Sequence, residues 1–304
     1  MDGRDARILA SLMADSRTSI GTIAEAIGVS VAATYKRILQ MEEGGVIRRY
    51  RCLVRPSLLG GGALELSGRC EGFVSRASFD RLGEHPAVFQ ITVGSHNHVY
   101  VTAVARSTIE VNEVRQAAER ILGLREPRLR SYRLDPVDHG ELTALDCAIV
   151  HALSDNARLP LTELARYVDA SERDLSRALA RLVSSGLLIF TLDLATKGVG
   201  GHWIQLELQT NGTEAPDAVL RATTSPSDVL LCTSHFAESS QVHAWVWTPS
   251  TASLESLHER IQARRAVVSV VPGILIASYG YPIWIRDELA RRAGALRKSM
   301  RRRA

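Results

Sequence analysis

Apolar positions in the first fifty residues fall at helical spacing. Ile20, Ile23, Ala24 and Ile27 predict one helix, Gly28 a sharp turn, and Ser30 a hydroxyl cap for a second helix whose inward face is Thr34, Ile38 and Met41. Gly44 and Gly45 stop that helix, and residues 46–51 then alternate as a strand carrying Arg48, Arg49 and Arg51. Helix, turn, helix and basic strand predict a winged helix-turn-helix. The outward face of the second helix bears Ala32, Ala33, Tyr35, Lys36 and Arg37, small residues for close approach beside cations for phosphates. The arginine strand is expected to lie against the nucleic-acid backbone.

The pattern then recurs. Residues 5–50 match residues 146–191 at a constant offset of 141 with no gap, pairing Asp5 with Asp146, Arg17 with Arg158, Ser30 with Ser171 and Gly45 with Gly186. After each helical module come segments of period two and of period 3.6 in the order strand, helix, strand, strand, helix, strand. In the first half these are residues 63–70, 75–84, 88–93, 98–105, 108–122 and about 129–134. In the second they are 203–209, 215–223, 229–233, 242–248, 252–264 and 273–279. The expected fold is therefore α+β, two tandem copies of a winged helix-turn-helix followed by a ferredoxin-like βαββαβ domain. Turn-forming residues place the domains at 1–55, 63–135, 142–195 and 202–282, with a basic tail at 285–304. Pairing of the two sheets would make a pseudo-dimer within one chain.

Composition changes this picture little. At 45% hydrophobic and 23% charged the chain reads as a soluble globular protein, and no apolar run approaches the roughly 20 residues of a membrane span. With no secretory leader at its start, the chain is expected in the cytoplasm, away from membranes. Its four cysteines lie far apart and suggest neither disulfides nor a zinc site. The net charge of +4 is local: residues 286–304 carry eight basic and two acidic side chains. That tail spaces Leu289, Ala293, Leu296 and Met300 helically and suits non-specific phosphate contact. His96 and His98, two apart on an expected strand, share a face as a metal pair would, but no third ligand accompanies them. No nucleophile with a base at motif spacing and no glycine-rich phosphate loop is present, so neither catalysis nor a cofactor is expected.

The opening run of Asp5, Ile8, Leu9 and Leu12, the stretch EEGGVIRRY at 42–50, the RPSLLG linker at 55–60 and the later ITVGSHNHVYV at 91–101 together resemble the Lrp/AsnC (feast/famine) family of transcriptional regulators. The resemblance implies a sequence-specific regulator that reads double-stranded DNA, assembles as a homo-oligomer and responds to an amino acid or other small effector. It places Ser30, Ala32, Tyr35, Lys36 and Arg37 at the groove or its phosphates and Arg48 and Arg49 on the backbone. Gly94, His96 and Asn97 would lie at the effector pocket, although the aromatic-aspartate pair common in the family is His96-Asn97 here. The second recognition helix begins with Glu172 and Asp174, which repel phosphates, while Arg173 and Arg177 remain able to reach them. Weaker DNA binding is expected there. Sirohaem decarboxylases resemble the same fold and supply the enzymatic alternative, for which residues 96–98 give a histidine foothold.

Overall fold

The computed structural model describes residues 1–133, 141–195, 200–225, 227–237 and 240–301, with side chains as far as residue 294. Parts of the expected linkers, at 135–140 and 197–199, and the end of the basic tail lie outside these. Helices α1 (Gly3–Ala14), α2 (Ile20–Ile27) and α3 (Val31–Glu43) form the first module. Gly28 turns in the left-handed region at φ 69°, and the Ser30 hydroxyl accepts from the Ala33 amide at 3.2 Å, so turn and cap are those the sequence predicts. Strand β1 (Ile47–Val54) leads through a short 3-10 turn into β2 (Gly62–Cys70), α4 (Arg76–Gly83), β3 (Val88–Gly94), β4 (His98–Ala105), α5 (Thr108–Leu122) and β5 (Leu124–Ser131). The closing strand starts earlier than expected because Gly123, at φ 64°, ends α5 and turns the chain at once.

The second half repeats this order: α6 (Ala144–Leu153), α7 (Leu161–Val168), α8 (Glu172–Ser184), β6 (Leu188–Leu194), β7 (His202–Thr210), α9 (Pro216–Thr223), β8 (Val229–His235), β9 (Gln241–Thr248), α10 (Thr251–Gln262) and β10 (Val267–Gly280). A final helix, α11 (Trp284–Arg301), follows. No helix among the described residues is long and apolar enough to cross a membrane.

Two sheets organise the chain. Eight strands run in the order β5-β2-β4-β3-β10-β7-β9-β8, and β1 pairs with β6 in a separate antiparallel ribbon. The fourteen-residue β10 is the seam: its first half pairs with β7, and its second half, from Leu275, pairs with β3. At the far edges Tyr132 bridges Phe236, while Arg133 N donates to His235 O and Ala237 N to Ser131 O, both at 2.8 Å. The eight strands thus close into a barrel. Outside it, α4 and α5 bury Leu66, Ile91, Val101 and Val114, and α9 and α10 bury Leu206, Leu220, Val246 and Leu257. Alternation sends the intervening residues of every strand inward.

The ribbon covers one mouth of this barrel. Its outer face, with Cys52, Val54, Phe190 and Leu192, enters the cores of both helical modules. Repeated residues hold the two modules to it. Arg17 stands 5.5 Å over the Phe190 ring and Arg158 4.2 Å over that of Tyr50, and the amides of Ser16 and Ala157 donate to Phe190 O and Tyr50 O. The halves differ in how their helices seat. Helix α1 packs directly on the barrel, with Ile8, Leu9 and Leu12 sharing one cluster with Trp203, Leu231 and Trp247. On the other side α11 intervenes: Trp284 and Leu289 join the α6 core, and the Trp284 indole donates to Val104 O at 2.8 Å. The helical stripe expected of the tail therefore has a packing role at Leu289.

Removing the Trp284 side chain leaves a void between α11, Gly61 and β4 that rigid strands cannot fill. Trp284→Ala is expected to cost about 3–5 kcal/mol in urea unfolding. An unchanged midpoint would mean that α11 does not clamp the second module.

Candidate functional site

The inward positions of the barrel are polar. Glu65 and Ser67 on β2, Tyr100 and Thr102 on β4, Gln205 and Glu207 on β7, and His243 and Trp245 on β9 meet across the ladders in facing pairs. They form one network. His243 Nδ1 lies 3.0 Å from Glu65 Oε2 and 2.9 Å from Gln205 Nε2, and His243 Nε2 is 3.7 Å from Glu207 Oε2. Arg130 Nη2 donates to Glu65 at 3.1 Å and to Ser67 at 3.0 Å, Tyr100 donates to Glu207 at 3.1 Å, and Tyr132 donates to Glu65 at 3.0 Å. Phe236 closes the network, stacked on Tyr132 and edge-on to His243.

Electrostatics follow from this geometry. Burial disfavours ionised Glu207, yet His243, Arg130 and Tyr100 around it prevail and hold its carboxyl at about 2. Burial likewise opposes a charge on His243, but bonding to Glu207 and Glu65 outweighs it and raises the imidazole above its ordinary value. Tyr100 is pushed up by burial and by the charge of Glu207. His98, at the edge of the network and 3.9 Å from Glu207, is pushed down by burial. Two carboxylates thus flank His243 and favour its charged form.

A cavity of about 510 Å³ opens above the network, its floor formed by Glu65, Tyr100, Gln205 and His243. The ribbon is its roof, through Arg51, Leu53, Ile189 and Thr191, and Met13 of α1 forms part of a wall. Sequence reasoning missed these residues. The signal was there, in the period-two polar positions of ALELSG and WIQLELQ, but alternation in an antiparallel strand reads as a solvated face until the other half covers it.

The expected effector residues are elsewhere. Gly94 is buried at the end of β3, where it pairs with Leu275. His96 and Asn97 occupy a 3-10 turn, both in the left-handed region at φ 57°, and are exposed; Asn97 donates to Gly72 O. That turn breaks the expected strand, so His96 and His98 do not share a face. Neither His96 nor Asn97 lines the cavity. Among the described residues no group of three or more potential ligands is placed to hold a metal ion.

The DNA-facing candidates divide. Ala32, Tyr35 and Lys36 are exposed on α3, and Ser30 caps that helix. Arg37 turns inward: its guanidinium pairs with Asp5 at 2.7 Å and Asp2 at 3.0 Å, tying α3 to the start of α1. Arg181 pairs with Asp146 in the second module, so the repeated acid has a structural partner in each copy. The wing also needs correction. β1 is consumed by pairing with β6; Arg49 is bound to Asp193 at 2.8 Å, and Arg48 donates to Ser278 O at 3.1 Å. Both guanidiniums are engaged on the ribbon, and both residues remain exposed. On α8, Arg173 is exposed, and Arg177 is exposed with Asp174 at 3.5 Å.

The winged helix-turn-helix DNA-binding family matches residues 1–48. The chain is 31% identical over 107 residues to the HTH-type transcriptional regulator LrpA of Pyrococcus horikoshii, a match over 34% of this chain and 74% of that one. It is 40% identical over 60 residues to the leucine-responsive regulatory protein of Rhizobium meliloti, covering 20% of this chain and 38% of that one. Among solved structures, siroheme decarboxylase NirDL superposes with a TM-score of 0.56 at 16% identity over 97% of this chain and 99% of its own. That likeness is one of fold. It nevertheless overturns the expectation that the chain is no enzyme, because its whole architecture, both halves included, is one that an enzyme uses.

The network makes stability depend on pH. Glu207, folded at about 2 against an ordinary 4.5, contributes stability that is complete above about pH 4.5 and lost as pH falls through about 2. His243, raised above its ordinary 6.5, contributes stability present below that value and lost as pH rises through its folded value. Glu207→Gln is expected to destabilise by about 2–3 kcal/mol near pH 6. In urea unfolding that difference from wild type should shrink as pH is lowered from 4.5 towards 2. A difference that does not change with pH would mean that Glu207 is not ionised in the fold.

Proposed function

The chain belongs to the Lrp/AsnC family of DNA-binding transcriptional regulators, and on that premise we propose that α3 reads double-stranded DNA while the barrel cavity receives a small effector. One observation carries this reading: α1 touches both sites. Met13 at its end lines the cavity, whereas Ile8 and Leu9 share a packed cluster with Ile38 and Met41, the buried side of α3. A molecule that displaces Met13 or shifts the ribbon therefore acts on the seat of the reading helix through contiguous side chains. Ala32 permits close approach to a groove, Tyr35 offers an apolar ring with a polar tip, and Lys36 meets a phosphate. The second module reads more weakly, with Glu172 and Asp174 leading α8. Association of copies of the chain multiplies the reading helices and the avidity.

A second reading is catalysis in the same cavity. The His243–Glu65–Glu207 cluster places a histidine between two carboxylates under a sizeable chamber, and the fold is that of a protein named for decarboxylating sirohaem. His243 would donate the proton that replaces a departing carboxylate. Titration with a tetrapyrrole, followed in the Soret region, tests it: a shift lost in His243→Ala favours catalysis, and an unchanged spectrum removes that reading.

For the regulator, fluorescence anisotropy with DNA from upstream of the chain's own gene is decisive across a salt series. Lys36→Ala is expected to weaken binding about tenfold and to reduce the salt slope by about one, and Tyr35→Ala to weaken binding without changing that slope. Equal binding of wild type and both variants would mean that α3 is not the reading helix.

A further inference from the structure

Among the described residues, one cation in the cavity roof, Arg51, has a buried nitrogen with no hydrogen-bonding partner. Arg51 pairs across the ribbon with Thr191, and the one-residue bulge between Ile47 and Arg49 shortens the offset between the two copies by one. Arg51 and Thr191 thereby become equivalent positions, and Arg51 stands on the pseudo-twofold axis above the centre of the barrel mouth. Its guanidinium lies 4.9 Å over the Phe89 ring, and its Nε is buried with no hydrogen-bond partner. Two neighbouring cations are matched by carboxylates: Arg49 holds Asp193 at 2.8 Å and Arg286 holds Asp155 at 2.6 Å. Burial depresses the pKa of Arg51, and the attraction of Asp193 only partly offsets it.

Arg51 also borders a second chamber. A space of about 300 Å³ between β1, α6 and α11 shares Arg51, Leu53 and Phe89 with the first, and its walls are mostly apolar, with Val54, Val104, Ile285 and Leu289, beside the paired Asp155 and Arg286. The chamber exists because α11 holds α6 away from the barrel, whereas α1 packs directly on the opposite side. One side of the guanidinium is therefore polar and the other oily.

We propose that Arg51 anchors the carboxylate of a monocarboxylate ligand whose apolar body fills the chamber between β1, α6 and α11. A guanidinium fork matches a planar carboxylate in two parallel hydrogen bonds, and the Phe89 ring fixes the plane of the fork. An α-amino acid fits poorly, because Asp193, the carboxylate nearest to Arg51, is already held by Arg49. This inference rests on the reading of the cavity as a small-molecule site and narrows it to amphipathic monocarboxylates.

The test uses the full chain with octanoate and, as the neutral match, 1-octanol, in isothermal titration. Wild type is expected to bind octanoate at least about tenfold more tightly than octanol, the energy of a charge-assisted pair. Arg51→Met, which keeps length but not charge, is expected to lose that preference while still binding octanol. Arg51→Lys keeps the charge without the fork and falls between them. Retained octanol binding shows that the variants are folded. A wild type that prefers neither probe, or an Arg51→Met variant that keeps the preference, overturns the assignment. DNA binding measured on the same samples separates the two claims: octanoate binding that leaves DNA affinity unchanged upholds the site and removes the effector role. Intact DNA binding with no octanoate preference removes the site and leaves the regulator standing.

Discussion

Backbone pairing along β10 is the constraint on which the rest of the structure depends. One fourteen-residue strand serves two sheets, pairing with β7 and then with β3. Each half alone would expose a row of unpaired amides and carbonyls at that edge, and joining them removes both edges at once. Closure at Tyr132 and Phe236 completes the barrel with far fewer hydrogen bonds. From this follows the chemistry of the interior. Positions that would be a solvated face in an open sheet become a buried core of Glu65, Glu207, His243, Tyr100 and Arg130, where no charge is tolerated without a partner.

Two near-repeats in one chain are free to diverge, and the packing uses that freedom. The first module sits on the barrel through α1. The second is held off by α11, which has no counterpart among the described residues of the first half and borders the chamber behind the ribbon. At matched positions of the interior, Glu65 faces Gln205 and Tyr100 faces His243 across the pseudo-axis, so an assembly of two identical subunits could not present this network. The outer surface diverged as well, with Lys36 and Tyr35 presented on α3 and Glu172 and Asp174 on α8.

Much of the architecture was legible in the sequence. The helical modules were written in apolar spacing and in residues such as Gly28 and Ser30 whose local physics is unambiguous. The repeat gave the second half, and it flagged Arg17 and Arg158, whose joint role under the ribbon emerges only in three dimensions. What local spacing could not convey was partnership across the chain. Arg37, Arg48 and Arg49 read as phosphate contacts because their acids, Asp5 and Asp193, and the carbonyl of Ser278 lie distant in sequence or on other elements. His96 and Asn97 read as strand or pocket because nothing in their neighbours announces two consecutive left-handed residues. The interior network was hidden by its own regularity, since alternation looks the same whether the second face meets water or another sheet.

We infer that the cavity and helix α3 are two ends of one packed unit joined by α1. Thr102, half-buried on the cavity wall and far in the fold from any DNA contact, offers the most direct test: replacing it with tryptophan fills the space that an effector would take. Anisotropy should find DNA affinity of Thr102→Trp shifted about five- to thirtyfold from wild type, the usual scale of coupling between sites. Ser57→Trp, the same change at an exposed linker position, should leave it unmoved. Identical affinities for wild type and Thr102→Trp, with both folded, would contradict the claim.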